Sequence, residues 1–148
     1  MSQANVELVK SVHPPSGTNL ASLFRQDADS GRFERLASLL TADFEVVGGD
    51  LRGRRGLTMG GHGIEGLIAA WCDWLHPWET YWTQVEDFTD AGDDRVLVLV
   101  RDHGRLRGSD SEVENIGASV WSLREGKIAR IEFHLNREEA LKAVGLAE

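Results

Sequence analysis

The chain is 148 residues long, 41% hydrophobic and 27% charged, which suits one domain with a buried core. Sixteen Lys and Arg against 24 Asp and Glu leave a net charge of −8, a sign that repels nucleic-acid phosphates and anionic membrane surfaces alike. A single cysteine, Cys72, rules out an internal disulfide and a cysteine-based zinc cage, and no apolar run reaches the roughly 18 residues of a membrane span.

The first elements read as helices. Residues 4–12 form a short helix that His13-Pro14-Pro15-Ser16-Gly17 ends, because proline removes a donor and pushes the residue before it out of the helical region. The opening decapeptide lacks the basic-then-apolar pattern of a signal peptide, so a cytoplasmic protein is expected. A second helix is predicted from about Thr18 to Ala28, with Leu20, Leu23 and Phe24 on one side. Ser30 can cap a third, in which Phe33, Leu36, Ala37 and Leu40 fall at helical spacing. Phe44-Glu45-Val46-Val47 is a short strand closed by Gly48-Gly49. Residues 48–63 are a glycine-rich loop carrying Arg52, Arg54 and Arg55. Ile64, Leu67, Ile68, Trp71 and Leu75 then mark an amphipathic helix that stops before Pro77.

After the proline the hydrophobic period drops from helical to two. Strands are predicted at 78–88, 95–106, 112–123 and 127–135, joined as hairpins by Gly92-Asp93-Asp94 and Arg124-Glu125-Gly126. On the second of them Val96, Val98 and Val100 share one face, and Leu97, Leu99, Arg101 and His103 the other. Asn136 caps a final helix over 137–144, ended by Gly145. Helices followed by a meander of long strands predict an α+β fold with helices against one face of an antiparallel sheet. The other face is left to water or a second subunit.

The stretch Trp121-Ser-Leu-Arg-Glu-Gly-Lys-Ile through Arg137-Glu-Glu-Ala-Leu141, with the helix and Asp-Phe-Glu-Val strand of 33–47, resembles the SnoaL-like branch of the NTF2-like superfamily. The likeness covers about residues 18–146 and leaves 1–17 as an N-terminal extension of a single domain. It implies a cone, a curved sheet wrapped around helices over an apolar pocket, and a homodimer through the outer sheet face. It implies no one activity, because the superfamily includes isomerases, polyketide cyclases, epoxide hydrolases, dehydratases and binding modules.

Placed on the family's pattern, three of four inward acid or base positions carry no acid or base side chain. Gly48 stands where isomerases have their base, Ser119 replaces an acid, and Phe133 replaces a carboxylate. An Arg and an Asp two apart in the hydrolases correspond to Arg101 and His103, so the acid alone is changed. Residues i and i+2 of a strand share a face, so both are expected inside the cone, His103 as acid or base and Arg101 beside an oxyanion. Glu132 and His134, opposite in parity to Ile131 and Phe133, are expected outside.

The unusual feature is five Trp, with Trp71, Trp74, Trp78 and Trp82 inside twelve residues. Trp71, Trp74, Trp82, Trp121 and Phe133, with Ser119, are expected to wall a pocket for a small apolar or aromatic molecule. Gly61-His62-Gly63-Ile64-Glu65-Gly66 matches a dinucleotide fingerprint literally but lacks the strand-helix-strand context that gives the motif its meaning. Scattered histidines argue against a metal, no cofactor is called for, and Cys72 reads as a small buried apolar residue. The two function classes are a non-catalytic binding domain and a cofactor-free cyclase, isomerase or hydrolase that uses His103.

Overall fold

The computed structural model describes residues 2–13, 18–21, 31–47, 60–134 and 136–145. Among these, four helices and six strands form: α1 (Ser2–Val12), α2 (Gly31–Ser38), β1 (Leu40–Val47), β2 (Gly60–His62), α3 (Gly63–Leu75), β3 (Trp78–Gly92), β4 (Arg95–Leu106), β5 (Glu112–Arg124), β6 (Lys127–His134) and α4 (Arg137–Ala143). The predicted helix over 18–28 lies mostly outside the described residues, where only Leu20 and Ala21 are helical.

One sheet holds all six strands in the order β2-β1-β6-β5-β4-β3. It departs from the expected all-antiparallel arrangement at one seam, where β1 runs parallel to β6. The chain leaves β1, crosses by way of β2 and α3 to the far edge, and meanders back through three hairpin-linked pairs to meet β1 from the other side. Residues 60–62, expected to be loop, instead pair with 45–47 as an edge strand. The loop expected over 48–59 lies outside the described residues. Two hairpin turns follow their composition. Asp93 and Asp94 adopt φ of 54° and 59°, and Glu125 and Gly126 φ of 52° and 79°, the left-handed pair that matches the twist of a tight hairpin. Register shifts between Trp78 and Thr80, Val85 and Asp87, and Asp90 and Gly92 mark β3 as a bulged edge strand, and bulges bend the strand that carries them.

The core forms because apolar positions from both periods meet. Val6 and Val9 of α1 and Leu67 and Ala70 of α3 press on Phe44, Val46, Val96, Val98, Trp121, Leu123, Ile128 and Ile131 of the sheet. The reverse face is not simply solvated. At its centre Leu97, Ala118 and Val120 are covered by Ala140 and Val144, so Val96, Leu97 and Val98 are all buried in succession. The covering helix α4 is short and depends on its cap. Asn136 Oδ1 accepts from the backbone N–H groups of Glu138 at 2.9 Å and Glu139 at 3.3 Å.

Candidate functional site

The alternation along β4 sorts the sheet into two faces. Val96, Val98, Val100, Asp102 and Gly104 point to the concave side that carries α1 and α3, and Leu97, Leu99, Arg101 and His103 to the convex side that carries α4. Burial then fades along the concave face. Val96 and Val98 are fully sealed, whereas Val100, Asp102, Thr83, Val85, Phe133 and Trp71 keep partial exposure. One end of the concavity is closed by core, and the other is reached by solvent.

Aromatic rings line that open end. Trp71 meets Phe133 edge-on at 5.2 Å and 84°, and Trp74, Trp78 and Tyr81 form a second group with centroids 5.2–6.4 Å apart. Geminate packing fixes their positions. Asn19 Oδ1 accepts from the backbone N–H of both Ala21 and Tyr81 at 3.1 Å, fastening residues 19–21 to β3. Gly104 provides the seat for Trp78, because a Cβ there would lie 2.5 Å from the indole ring and 3.1 Å from the Tyr81 ring.

A carboxyl group sits among these rings. Thr83 Oγ1 donates to Asp102 Oδ1 at 2.8 Å, and the Tyr81 hydroxyl, itself bonded by Trp74, also hydrogen-bonds Asp102. Burial pushes the Asp102 carboxyl above its ordinary range, against the opposing pull of Thr83, Tyr81 and the nearby His103. Burial, and then the charge of Asp102, hold the Tyr81 hydroxyl well above its usual value, so it stays a neutral donor. A carboxyl that binds its proton more tightly when folded contributes stability below the ordinary carboxylate range and loses it as pH rises through the folded value. Asp102→Asn is therefore expected to be at least as stable as the parent at pH 7. Urea titrations should show that advantage shrinking as the pH falls toward about 4. A gap that widens on acidification would mean that the carboxyl is not strained by burial.

With the fold and this cluster described, the comparison with known proteins is decisive at the level of family: residues 22–131 match the model of the SnoaL-like domain. The chain belongs to the SnoaL-like family. No curated protein matches it. Among solved structures, TerC co-crystallised with polyporic acid is 18% identical with a TM-score of 0.65, over 96% of this chain and 98% of that one. An NTF2-like protein of unknown function from Burkholderia pseudomallei K96243 is 16% identical with a TM-score of 0.66, over 95% and 97%. A protein described as a SnoaL-like polyketide cyclase from Jannaschia sp. CCS1 is 19% identical with a TM-score of 0.63, over 89% and 85%. These likenesses establish the fold.

In this SnoaL-like chain the residues singled out from sequence divide between the two faces. Trp71, Trp74 and Phe133 gather at the open end of the concavity. Ser119 and Trp121 also point inward but are buried at the sealed end, where the Trp121 indole N–H donates to Ser119 Oγ at 2.8 Å. The His13 ring closes over Trp121 and Phe88 at 5.0 and 5.2 Å, with Nδ1 2.7 Å from the Val9 carbonyl; burial lowers its pKa.

Arg101, His103 and Trp82 are corrections to the expected geometry. All three lie on the convex face, because the valine row, not the leucine row, meets the larger helical layer. The His103 ring stacks on Trp82 at 4.0 Å and 10°, with Nδ1 3.4 Å from Glu112 and 3.8 Å from Glu114. Arg101 pairs with Glu86 at 3.3 Å and Glu114 at 2.9 Å, and Arg137 joins Glu86 at 2.6 Å while donating to the Val100 carbonyl at 2.9 Å. That convex network ties α4 to the sheet. Glu132 and His134 share the convex side, as their parity requires, with Nε2 2.5 Å from Oε1.

Cys72 is exposed on α3, not buried. Among the described residues no group of three His, Cys, Asp or Glu is arranged to hold a metal ion, and no helix is long and apolar enough to cross a membrane. Gly48 and the arginines at 52, 54 and 55 lie outside the described residues. Asp102 was the residue missed. Its signal was present in the sequence, since an acid two positions beyond Val100 continues a face that is otherwise apolar.

Proposed function

We propose that this chain binds a small, mainly apolar, aromatic or polycyclic molecule at the open end of its concave face, with Asp102 as the polar anchor and Trp71, Trp74 and Phe133 as walls. One observation carries the reading: an inward carboxyl held by two hydroxyls among aromatic rings that keep partial exposure. Ser119 and Trp121 set the floor beneath it. The fold neighbours described as a polyketide cyclase and as a complex with polyporic acid support a small-molecule role for such a cone. In this reading the protein is cytoplasmic, uses no cofactor or metal, engages neither nucleic acid nor membrane, and pairs as a homodimer.

A second reading, a cofactor-free cyclase, isomerase or hydrolase, is favoured by the upward pKa shift of Asp102, which brings a carboxyl nearer to the range useful for proton exchange. It transfers the acid/base role from His103 to Asp102, leaving Arg101 and His103 as convex-face residues. Native mass spectrometry of freshly purified protein, followed by calorimetric titration of any mass adduct, tests the binding reading. Loss of that binding by about ten-fold in Trp71→Ala, with His103→Ala unchanged, is the expected result. Equal sensitivity of both variants would remove the concave face from consideration. For a ligand that is turned over, Asp102→Asn should retain binding and lose turnover.

A further inference from the structure

We infer that the ligand presents an O–H or N–H donor to Asp102 and is neutral or cationic, a phenol or an arylalkylamine rather than a carboxylate or phosphate. The inference rests on the binding reading above and adds the charge class of what is bound.

Three observations carry it. First, the partners of Asp102 are donors: Thr83 Oγ1 at 2.8 Å and the Tyr81 hydroxyl. Two donors complete only half of what a carboxylate accepts, so the group that faces the open end still calls for a donor. Secondly, the concave parity of the sheet carries no cation among the described residues. The arginines of the central strands, Arg95, Arg101, Arg105, Arg124 and Arg130, fall on the opposite parity, where those with partners meet Asp93, Glu86, Glu114, Asp43 and Glu132 or the Ser109 carbonyl. Thirdly, the neighbouring His103 ring lies on the other face of the sheet, stacked on Trp82 at 4.0 Å, and is not presented to a ligand on the concave side.

An organic anion on this face would therefore meet a carboxyl and apolar rings, with no cation from the concave parity of the sheet among the described residues. In an apolar wall that pairing is more costly than in water, because like charges there are poorly screened. A ligand hydroxyl reverses the sign of the interaction, and an ammonium adds charge to the hydrogen bond, which makes it roughly twice as strong as a neutral one.

Four compounds of one size separate the possibilities. Calorimetric titration with 2-naphthol, 2-naphthylmethylamine, 2-methoxynaphthalene and naphthalene-2-carboxylate keeps the ring constant and varies only donor and charge. The naphthol and the amine should each bind about ten-fold or more tighter than the methyl ether, which has lost the donor, and the carboxylate should bind weakest. In Asp102→Asn the amine should lose its advantage over the naphthol. A carboxylate that binds as well as the naphthol, or a methyl ether that equals it, overturns the donor inference while leaving small-molecule binding intact. Binding by none of the four removes the binding reading, and the inference with it.

Discussion

Phe44→Ala is expected to lower the unfolding free energy by about 3–5 kcal/mol, the largest single loss among core substitutions in this chain. Phe44 has no exposed surface. It lies in the cluster where β1 meets α1, α3 and β6, with Val6, Val9, Leu67, Ala70 and Ile131 as fellow members. Truncation forfeits the transfer free energy of the ring and leaves a void that two helices and a sheet cannot close together, because each is also packed elsewhere. A domain of this size has a net stability of roughly 5–15 kcal/mol, so the variant should sit near the threshold of folding at 37 °C. Urea denaturation with an unchanged slope and a lower midpoint is the expected signature. Phe133→Ala removes the same ring from a partly exposed position and should cost clearly less. A loss below about 1 kcal/mol at Phe44 would mean that β1 is not held by this cluster.

The contrast between those two phenylalanines bears on what could be read in advance. The strands from Arg95 to Leu106 and from Glu112 onward were legible because valine-, leucine- and isoleucine-bearing stretches lie between turns that carry Gly, Asp and Glu where a tight hairpin needs positive φ. Asn136 was legible as a cap because its short side chain precedes two acids and an apolar stripe.

What alternation alone does not disclose is which face is inward. On β4 both rows begin apolar, Val96 and Val98 against Leu97 and Leu99, since helices cover both sides at that level. The choice was decided by which helical layer is larger, a tertiary fact, and a wrong choice moves every polar side chain on the strand to the other side. Arg101, His103 and Trp82 thus fell on the convex face, and Asp102 inside. The parallel seam between β1 and β6 was hidden for a related reason: it joins segments about 85 residues apart in sequence, with no local pattern to announce it.

Gly104→Ala is expected to cost about 1–3 kcal/mol in stability and to weaken ligand binding about ten-fold or more, a large effect for one methyl group. The backbone of Gly104 passes directly under Trp78, and the added Cβ would lie 2.5 Å from two carbons of its indole and 3.1 Å from the Tyr81 ring. Both neighbours must give way, and Tyr81 does so only at a cost. Tyr81 is nearly fully buried against Leu20, Ala21 and Leu75, and its own backbone N–H is bonded to Asn19. The indole must therefore swing away from the sheet, and Trp74 and Tyr81, both in contact with it, must follow. A displaced Tyr81 withdraws its hydroxyl from Asp102, so steric damage at a residue with no side chain is transmitted to the polar anchor. Trp78→Leu in the Gly104→Ala background relieves the clash, and the pair should recover most of the lost stability without recovering the lost aromatic wall. Simple additivity of the two substitutions in a double-mutant cycle would show that the indole does not rest on this glycine.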